Sequence, residues 1–247
     1  MLGSGRYGEV YKISYSNKLY AGKIIYKKLL PGHPHPSVDD INKFMGEIEN
    51  ASAMLVTNQH ANIEQFHSLV QLTPDSPPIL LTELLHENLN NYTARMKGKL
   101  PVHVQLDLCH DMAKGLQYLH TAGLVHNNLH GANVLISQDG RAKIADYICP
   151  LVDSLNEKVT PQHNVYTSPE LVKDIHVYSK QSDVYSLGVL YLQVATQSPP
   201  MPNDSAELSE VQRFKDQLNE ITTNPLLPLI LQCLGIIVAR PSIDRVC

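Results

Sequence analysis

The 247-residue chain has no block of basic residues, and its formal net charge is −4. A nucleic-acid binder would show clustered positive charge first, so that class is set aside. The four cysteines, Cys109, Cys149, Cys233 and Cys247, form no close pair and no metal-ligand spacing. This argues against a disulfide framework and for reduced thiols, as in the cytoplasm. Histidines are scattered. His126 and His130 lack the glutamate that follows the first histidine of the zinc-protease helix motif, so a histidine metal site is not expected. Met1 runs straight into Leu2-Gly3-Ser4, which is not the start of a signal peptide. The longest apolar stretch, 225–239, is broken by Pro228, Gln232 and Gly235. It is too short to span a bilayer and reads as buried core. Internal repeats and low-complexity segments are also missing.

What is there is a β pattern followed by an α pattern. Tyr11, Ile13 and Tyr15 alternate, Ser16-Asn17-Lys18 turns the chain, and Leu19, Ala21 and Lys23 share one face at period two. Ser37, Asp39 and Asp40 mark a helix start, followed by Ile41, Phe44, Met45, Ile48 and Leu55 at helical spacing. Residues 63–72 and 79–83 read as strands, and 87–91 as a polar connector. Val104, Leu108, Met112, Leu116 and Leu119 form the stripe of a long helix that Gly123 ends. Short strands are expected around Val125 and over 134–136. An apolar helix is expected over 182–195, and a last helical region ends near Cys247.

The residues with chemical potential fall in a fixed order. Gly3-Ser4-Gly5-Arg6-Tyr7-Gly8 is a glycine loop with Val10 beyond it. A β pattern follows, where a dinucleotide fold would place a helix. Glycines there let backbone N–H groups approach phosphate oxygens. Lys23 ends Ala21-Gly22-Lys23. Glu47 lies in the first helix, where it could pair with Lys23, with Glu49 as a rival. His126-Asn127-Asn128-Leu129-His130-Gly131-Ala132-Asn133 has the length and flanks of H-R-D-L-x-x-x-N. Asp146 stands in Ala145-Asp146-Tyr147-Ile148, at the place of D-F-G. Ser168-Pro169-Glu170 stands at A-P-E, and Arg240-Pro241 lies near the end.

In this order the chain resembles a protein kinase domain over nearly its whole length, closest in pattern to the tyrosine-kinase and tyrosine-kinase-like branches. The resemblance implies an α+β, two-lobed fold. A β-rich N-lobe with one main helix would cover about 1–85, a hinge about 83–91 and a mostly helical C-lobe about 92–247, as one domain. It implies ATP between the lobes, with Gly3, Gly5, Gly8 and Lys23 at the phosphates. Val10, Ala21 and Leu135 would lie around adenine, with Thr82 as gatekeeper and Glu83 to Leu85 as hinge. Asn133 and Asp146 would hold Mg2+. Glu170 and Arg240 would form a buried ion pair, and Asp183 would tie the catalytic loop to the central helix. Only Leu2 separates Met1 from the glycine loop, so the front half of the first strand is expected to lie outside this chain.

The departures from the pattern all touch phosphate transfer. Asn128 stands where the family has its catalytic Asp, and an amide cannot take a proton near neutral pH. A positioned base contributes about 10²- to 10⁴-fold, or roughly 3–5 kcal/mol of barrier. Asn127 replaces the arginine that receives an activation-loop phosphate, so phosphorylation at Ser154, Thr160 or Tyr166 would lack that partner. His130 and Ala132 replace the cation near the transferred phosphate. Ile148 replaces glycine, which should lock the segment after Asp146. The expectation is a pseudokinase that binds ATP and acts through other proteins, such as other kinases or signalling proteins. The alternatives are a weakly active protein kinase and a nucleotide-free interaction module. A small-molecule phosphotransferase on a related fold is a distant further reading.

Overall fold

The computed structural model describes residues 1–4, 8–25, 46, 59–73, 76–147, 165–173, 178–200, 214–235 and 240–247. The expected helix over 37–55 lies outside them, apart from Gly46, which is helical. The described residues fall into two compact units. One comprises those of Met1–Leu85 with Asp146 and Tyr147, the other those of His86–Ala145 and of 165–247.

The first unit is an antiparallel sheet in the order β1-β2-β3-β5-β4. Its strands are β1 (Gly3–Ser4), β2 (Gly8–Tyr15), β3 (Lys18–Ile25), β4 (Phe66–Val70) and β5 (Ile79–Glu83). Ser16 and Asn17, at φ 48° and 61°, close the β2–β3 hairpin. Two positive φ values match the right-handed twist of the flanking strands. β5 lies between β3 and β4 and is apolar on both faces, with Leu80 and Leu81 buried. β4 is shorter than the 63–72 pattern predicts. Ile63 N–H closes a turn on the His60 carbonyl at 3.2 Å, and the pairing with β5 is irregular between Phe66 and Ser68.

In the second unit β6 (Glu87–Asn88), β7 (Val134–Ile136) and β8 (Ala142–Ile144) form a small antiparallel sheet. Among the described residues this unit's helices are α1 (Leu89–Arg95), α2 (Val102–Thr121), α3 (Pro169–Lys173), α4 (Lys180–Thr196), α5 (Lys215–Glu220), α6 (Leu227–Cys233) and α7 (Ile243–Val246). The expected connector at 87–91 is instead strand and helix. The Asn88 side chain caps α1 by accepting from Asn91 N–H at 3.0 Å, and Leu89 is wholly buried. Val125 lies in no strand, because the next N–H, that of His126, goes to Asp183. Among the described residues the expected last helical region holds three short helices, α5, α6 and α7, and Pro225, which lacks the N–H a helix interior needs, lies between the first two.

α2 buries the predicted stripe except at its start: Leu108, Met112, Leu116 and Leu119 are inaccessible to solvent, while Val104 is half-buried. Gly123, at φ 78°, ends it. Gly123 N–H bonds the His120 carbonyl and Leu124 N–H that of Leu119, the pairing that satisfies orphan carbonyls at a helix end. α4 is buried from Ser182 to Ala195 and forms the centre of this unit. Ser179 and Ser182 cap it reciprocally. A Cβ on Gly188 would come within 2.6 Å of Cys233 Cβ, so glycine there lets α6 pack directly on α4. Within 225–235, Ile230, Cys233 and Leu234 are buried while Leu231 is exposed. The architecture is α+β, an antiparallel sheet unit and a largely helical unit. Among the described residues, no helix is long and apolar enough to cross a membrane.

Candidate functional site

Strand register gathers the first unit's site residues on one face. Val10 pairs with Lys23, and Gly3 with Val10. Ala21 pairs with Thr82, and Lys23 with Leu80. Directly paired residues point to the same face, as do residues two apart. Gly8, Val10, Ala21, Lys23 and Thr82 therefore share it. Lys23 Nζ meets Asp146 Oδ1 at 2.5 Å, with both side chains largely buried. This pair offers a cation for a phosphate oxygen and a carboxylate for a metal ion. Glu83 Oε1 accepts from Gln65 N–H at 2.7 Å, and Glu83 N–H donates to the Gln65 carbonyl at 2.9 Å. Leu85 is half-buried.

Gly5 and Glu47 lie outside the described residues, as do Ser154, Thr160 and Ile148. A different acid enters the site. Glu64 Oε1 accepts from Thr82 Oγ1 at 2.8 Å, and its carboxyl also accepts the main-chain N–H of Asp146. Tyr147 Oη donates to the Glu64 carbonyl at 3.0 Å. Removal from water is the main cause that lifts the Glu64 carboxyl to about 7. The Thr82 hydroxyl draws it down, the Asp146 charge pushes it up, and Lys23 and the Asp146 N–H draw it down again. Sequence reasoning missed Glu64. The available signal was an acid placed directly after buried Ile63, at the entry to an apolar strand.

In the second unit the loop 126–133 is held from below by Asp183. Its Oδ2 accepts from His126 N–H and from His120 Nε2, both at 2.8 Å, and its Oδ1 accepts from Asn127 N–H at 2.9 Å. His126 is buried and donates from Nε2 to the Ala145 carbonyl at 2.9 Å. Its Nδ1 then accepts from Asn128 N–H at 3.3 Å. Asn127 adopts φ 61°, and its buried Oδ1 has no hydrogen-bond partner among the described residues. Asn133 Nδ2 donates to the Asn128 carbonyl at 2.9 Å, which leaves the amide oxygen as the atom able to ligate a cation. Leu135, in β7, pairs with Asn88 and Lys143; it belongs to this unit, and Val10 and Ala21 to the other.

A neutral network packs beside the loop. Tyr166 Oη donates to Gln193 Oε1 at 2.8 Å, and Gln193 Nε2 donates to Asn90 Oδ1 at 2.9 Å. Gly131 N–H donates to the Tyr166 hydroxyl, and burial, the larger effect, pushes that phenol above its ordinary range. A Cβ on Gly131 would come within 2.0 Å of Asn90 Oδ1, so only glycine leaves this network intact. Arg240 Nη1 meets Glu170 Oε1 at 2.5 Å, and the Arg240 guanidinium lies 4.9 Å from the Tyr185 ring centre. Burial would raise Glu170, but the hydrogen bond and the charge of Arg240 hold it below the usual carboxylate value.

In the sheet unit the Asp146 carboxylate is a hard oxygen donor of the kind magnesium takes and Lys23 is a cation suited to phosphate; in the helical unit the Asn133 amide oxygen is a donor of the same kind, so the chemistry of each unit's residues fits a magnesium nucleotide.

Comparison with known proteins gives one family. A family model described as protein tyrosine and serine/threonine kinase matches residues 1–245. The dual specificity protein kinase shkE of Dictyostelium discoideum is 26% identical over 92% of this chain and 31% of its own length. The human tyrosine-protein kinase FRK is 29% identical over 79% of this chain and 37% of its own. The serine/threonine/tyrosine-protein kinase HT1 of Arabidopsis thaliana is 25% identical over 78% of this chain and 48% of its own. The chain thus spans less than half the length of each of these relatives.

Proposed function

Since the chain belongs to the protein tyrosine and serine/threonine kinase family, we propose that it binds ATP with magnesium but transfers the γ-phosphate poorly or not at all. It would act as a pseudokinase, through protein partners such as other kinases or signalling proteins, in the cytoplasm. Bound magnesium would supply charge compensation for the phosphates, held by Asp146 and Asn133. Lys23, set on β3 by the Asp146 carboxylate, would orient the phosphates. Thr82 and Glu83 would line the nucleotide's base side.

The observation that carries this reading is Asn128. The loop around it is held in place by Asp183, His126 and Asn133, yet the side chain at the base position cannot take a proton. Neighbouring Asn127 offers no cation to an activating phosphate. His130 and Ala132 stand where the family has a cation near the transferred phosphate, so transition-state charge would be less well compensated.

A weakly active kinase is the second reading. The ordered loop frame favours it, because phosphoryl transfer depends more on positioning and electrostatics than on the base. The two readings separate in a γ-phosphate transfer assay with a generic protein substrate and with the chain itself. The pseudokinase reading expects wild type to match a Lys23→Met control. Asn128→Asp should rise above both by about 10²-fold or more if the base is the limiting loss. Wild-type transfer clearly above the Lys23→Met control would favour the weakly active kinase.

A further inference from the structure

We propose that Glu64 is a positioning residue that holds Asp146 and Tyr147 in one conformation, gripping the first by its main-chain N–H and the second by its side-chain hydroxyl. Asp146 sits at φ 63°, a left-handed backbone that L residues adopt at a cost and keep only where neighbours over-determine it. Two neighbours do so here. Lys23 holds the Asp146 carboxylate at 2.5 Å, and the Glu64 carboxyl takes its N–H. Glu64 is itself fixed to the sheet, because the Thr82 hydroxyl on β5 donates to Oε1 at 2.8 Å. The adjacent residue is tied to the same point. Tyr147 is buried, and its Oη donates to the Glu64 carbonyl at 3.0 Å, a bond that phenylalanine could not make.

The contacts form a continuous path from β5 through Glu64 to the start of the segment after β8. The consequence is that Asp146 is presented with its carboxylate toward Lys23 and its backbone unable to turn over. The device stands on the left-handed backbone of Asp146 and on the contacts among Thr82, Glu64, Tyr147, Asp146 and Lys23. Its effect on nucleotide binding rests on the reading of Asp146 as a magnesium ligand.

The test is amide hydrogen exchange of the full chain, read at Asp146 by NMR, with Mg-ATP and metal-free ATP affinities measured alongside. Glu64→Val removes the acceptor and should speed exchange at Asp146 by about tenfold, the equivalent of one lost hydrogen bond. Glu64→Gln keeps an acceptor oxygen and should stay within about threefold of wild type, since an amide oxygen still takes the N–H. Tyr147→Phe and Thr82→Val each remove one tether and should give intermediate rates. They also carry the test if Glu64→Val fails to fold. In the binding arm Glu64→Val should weaken Mg-ATP more than metal-free ATP, and Glu64→Gln should restore the difference. Unchanged exchange at Asp146 in Glu64→Val, or in both single-tether variants, overturns the assignment. Faster exchange in a protein that binds no nucleotide upholds Glu64 and removes the nucleotide reading instead.

Discussion

The two units hold their share of the kinase residues by different means. In the sheet unit, Lys23, Asp146 and Glu64 are titratable groups set against one another. The loop of the helical unit is held through its backbone. Asp183 takes the N–H groups of His126 and Asn127, Ala145 anchors the His126 ring, and Asn133 reaches the Asn128 carbonyl. Asn127 and Asn128 enter this frame through main-chain atoms. In such a loop the side chains at the arginine and base positions can change while the frame stays. In the sheet unit the charged side chains are themselves the frame, so they are harder to lose. That difference would let a chain keep Lys23 and Asp146 while carrying asparagine at 127 and 128.

The contrast can be broken most severely at Asp183. Asp183→Ala leaves the buried His126 N–H, the part-buried Asn127 N–H and the His120 ring nitrogen without their acceptor. It should cost about 3–5 kcal/mol, as when one partner of a buried charged network is removed. Urea denaturation reads this, and a loss under about 1 kcal/mol would mean the loop does not depend on Asp183.

The next effect belongs to the sheet unit and depends on pH. The Glu64 carboxyl stands near 7 in the folded chain against 4.5 as its ordinary value. Between these values the folded chain holds a proton that the unfolded chain has lost. Its contribution to stability is therefore present on the acid side and is lost as pH rises toward 7. The span is on the order of 3 kcal/mol, at about 1.4 kcal/mol per pH unit. Measured without metal, wild type should lose stability relative to Glu64→Gln across this range. Parallel curves would remove the argument.

Lys23→Met takes the cation from Asp146. It should cost about 1.5–3 kcal/mol, the range for hydrogen bonds to charged groups, and thermal unfolding with and without Mg-ATP would show both the loss and the missing ligand response.

Asn128→Asp should be the mildest. Its frame contacts run through N–H and C=O, so stability should move by within about 0.5 kcal/mol. A large destabilisation would show that the side chain at this position has become part of the frame.

Much of this was legible in the sequence because it depends on period and spacing. Alternation put Ala21 and Lys23 on one face, the stripe from Leu108 to Leu119 gave α2, and Gly123 marked its end. The ion pair Glu170–Arg240, buried on the Arg240 side and half-buried at Glu170, and the tie from Asp183 follow the family resemblance. The misses have physical causes. α1 begins at a side-chain cap within a polar stretch, Asn88, where a stretch rich in asparagine reads as loop. Val125 has strand-like neighbours, but the loop's hydrogen bonds go to a side chain far along the chain. Glu64 acts through contacts with Thr82 and Tyr147 at long sequence separation, and no local pattern records them. Glu47, the acid that the flanking apolar pattern favours over Glu49, lies outside the described residues.

The most direct test is a calorimetric titration of the wild-type chain with Mg-ATP, run beside Lys23→Met and Asp146→Asn. The account predicts saturable binding that depends on magnesium, is weakened in both variants, and stabilises the folded chain as a ligand of the native state alone must. Absence of binding at millimolar nucleotide, or binding that neither substitution alters, would contradict it.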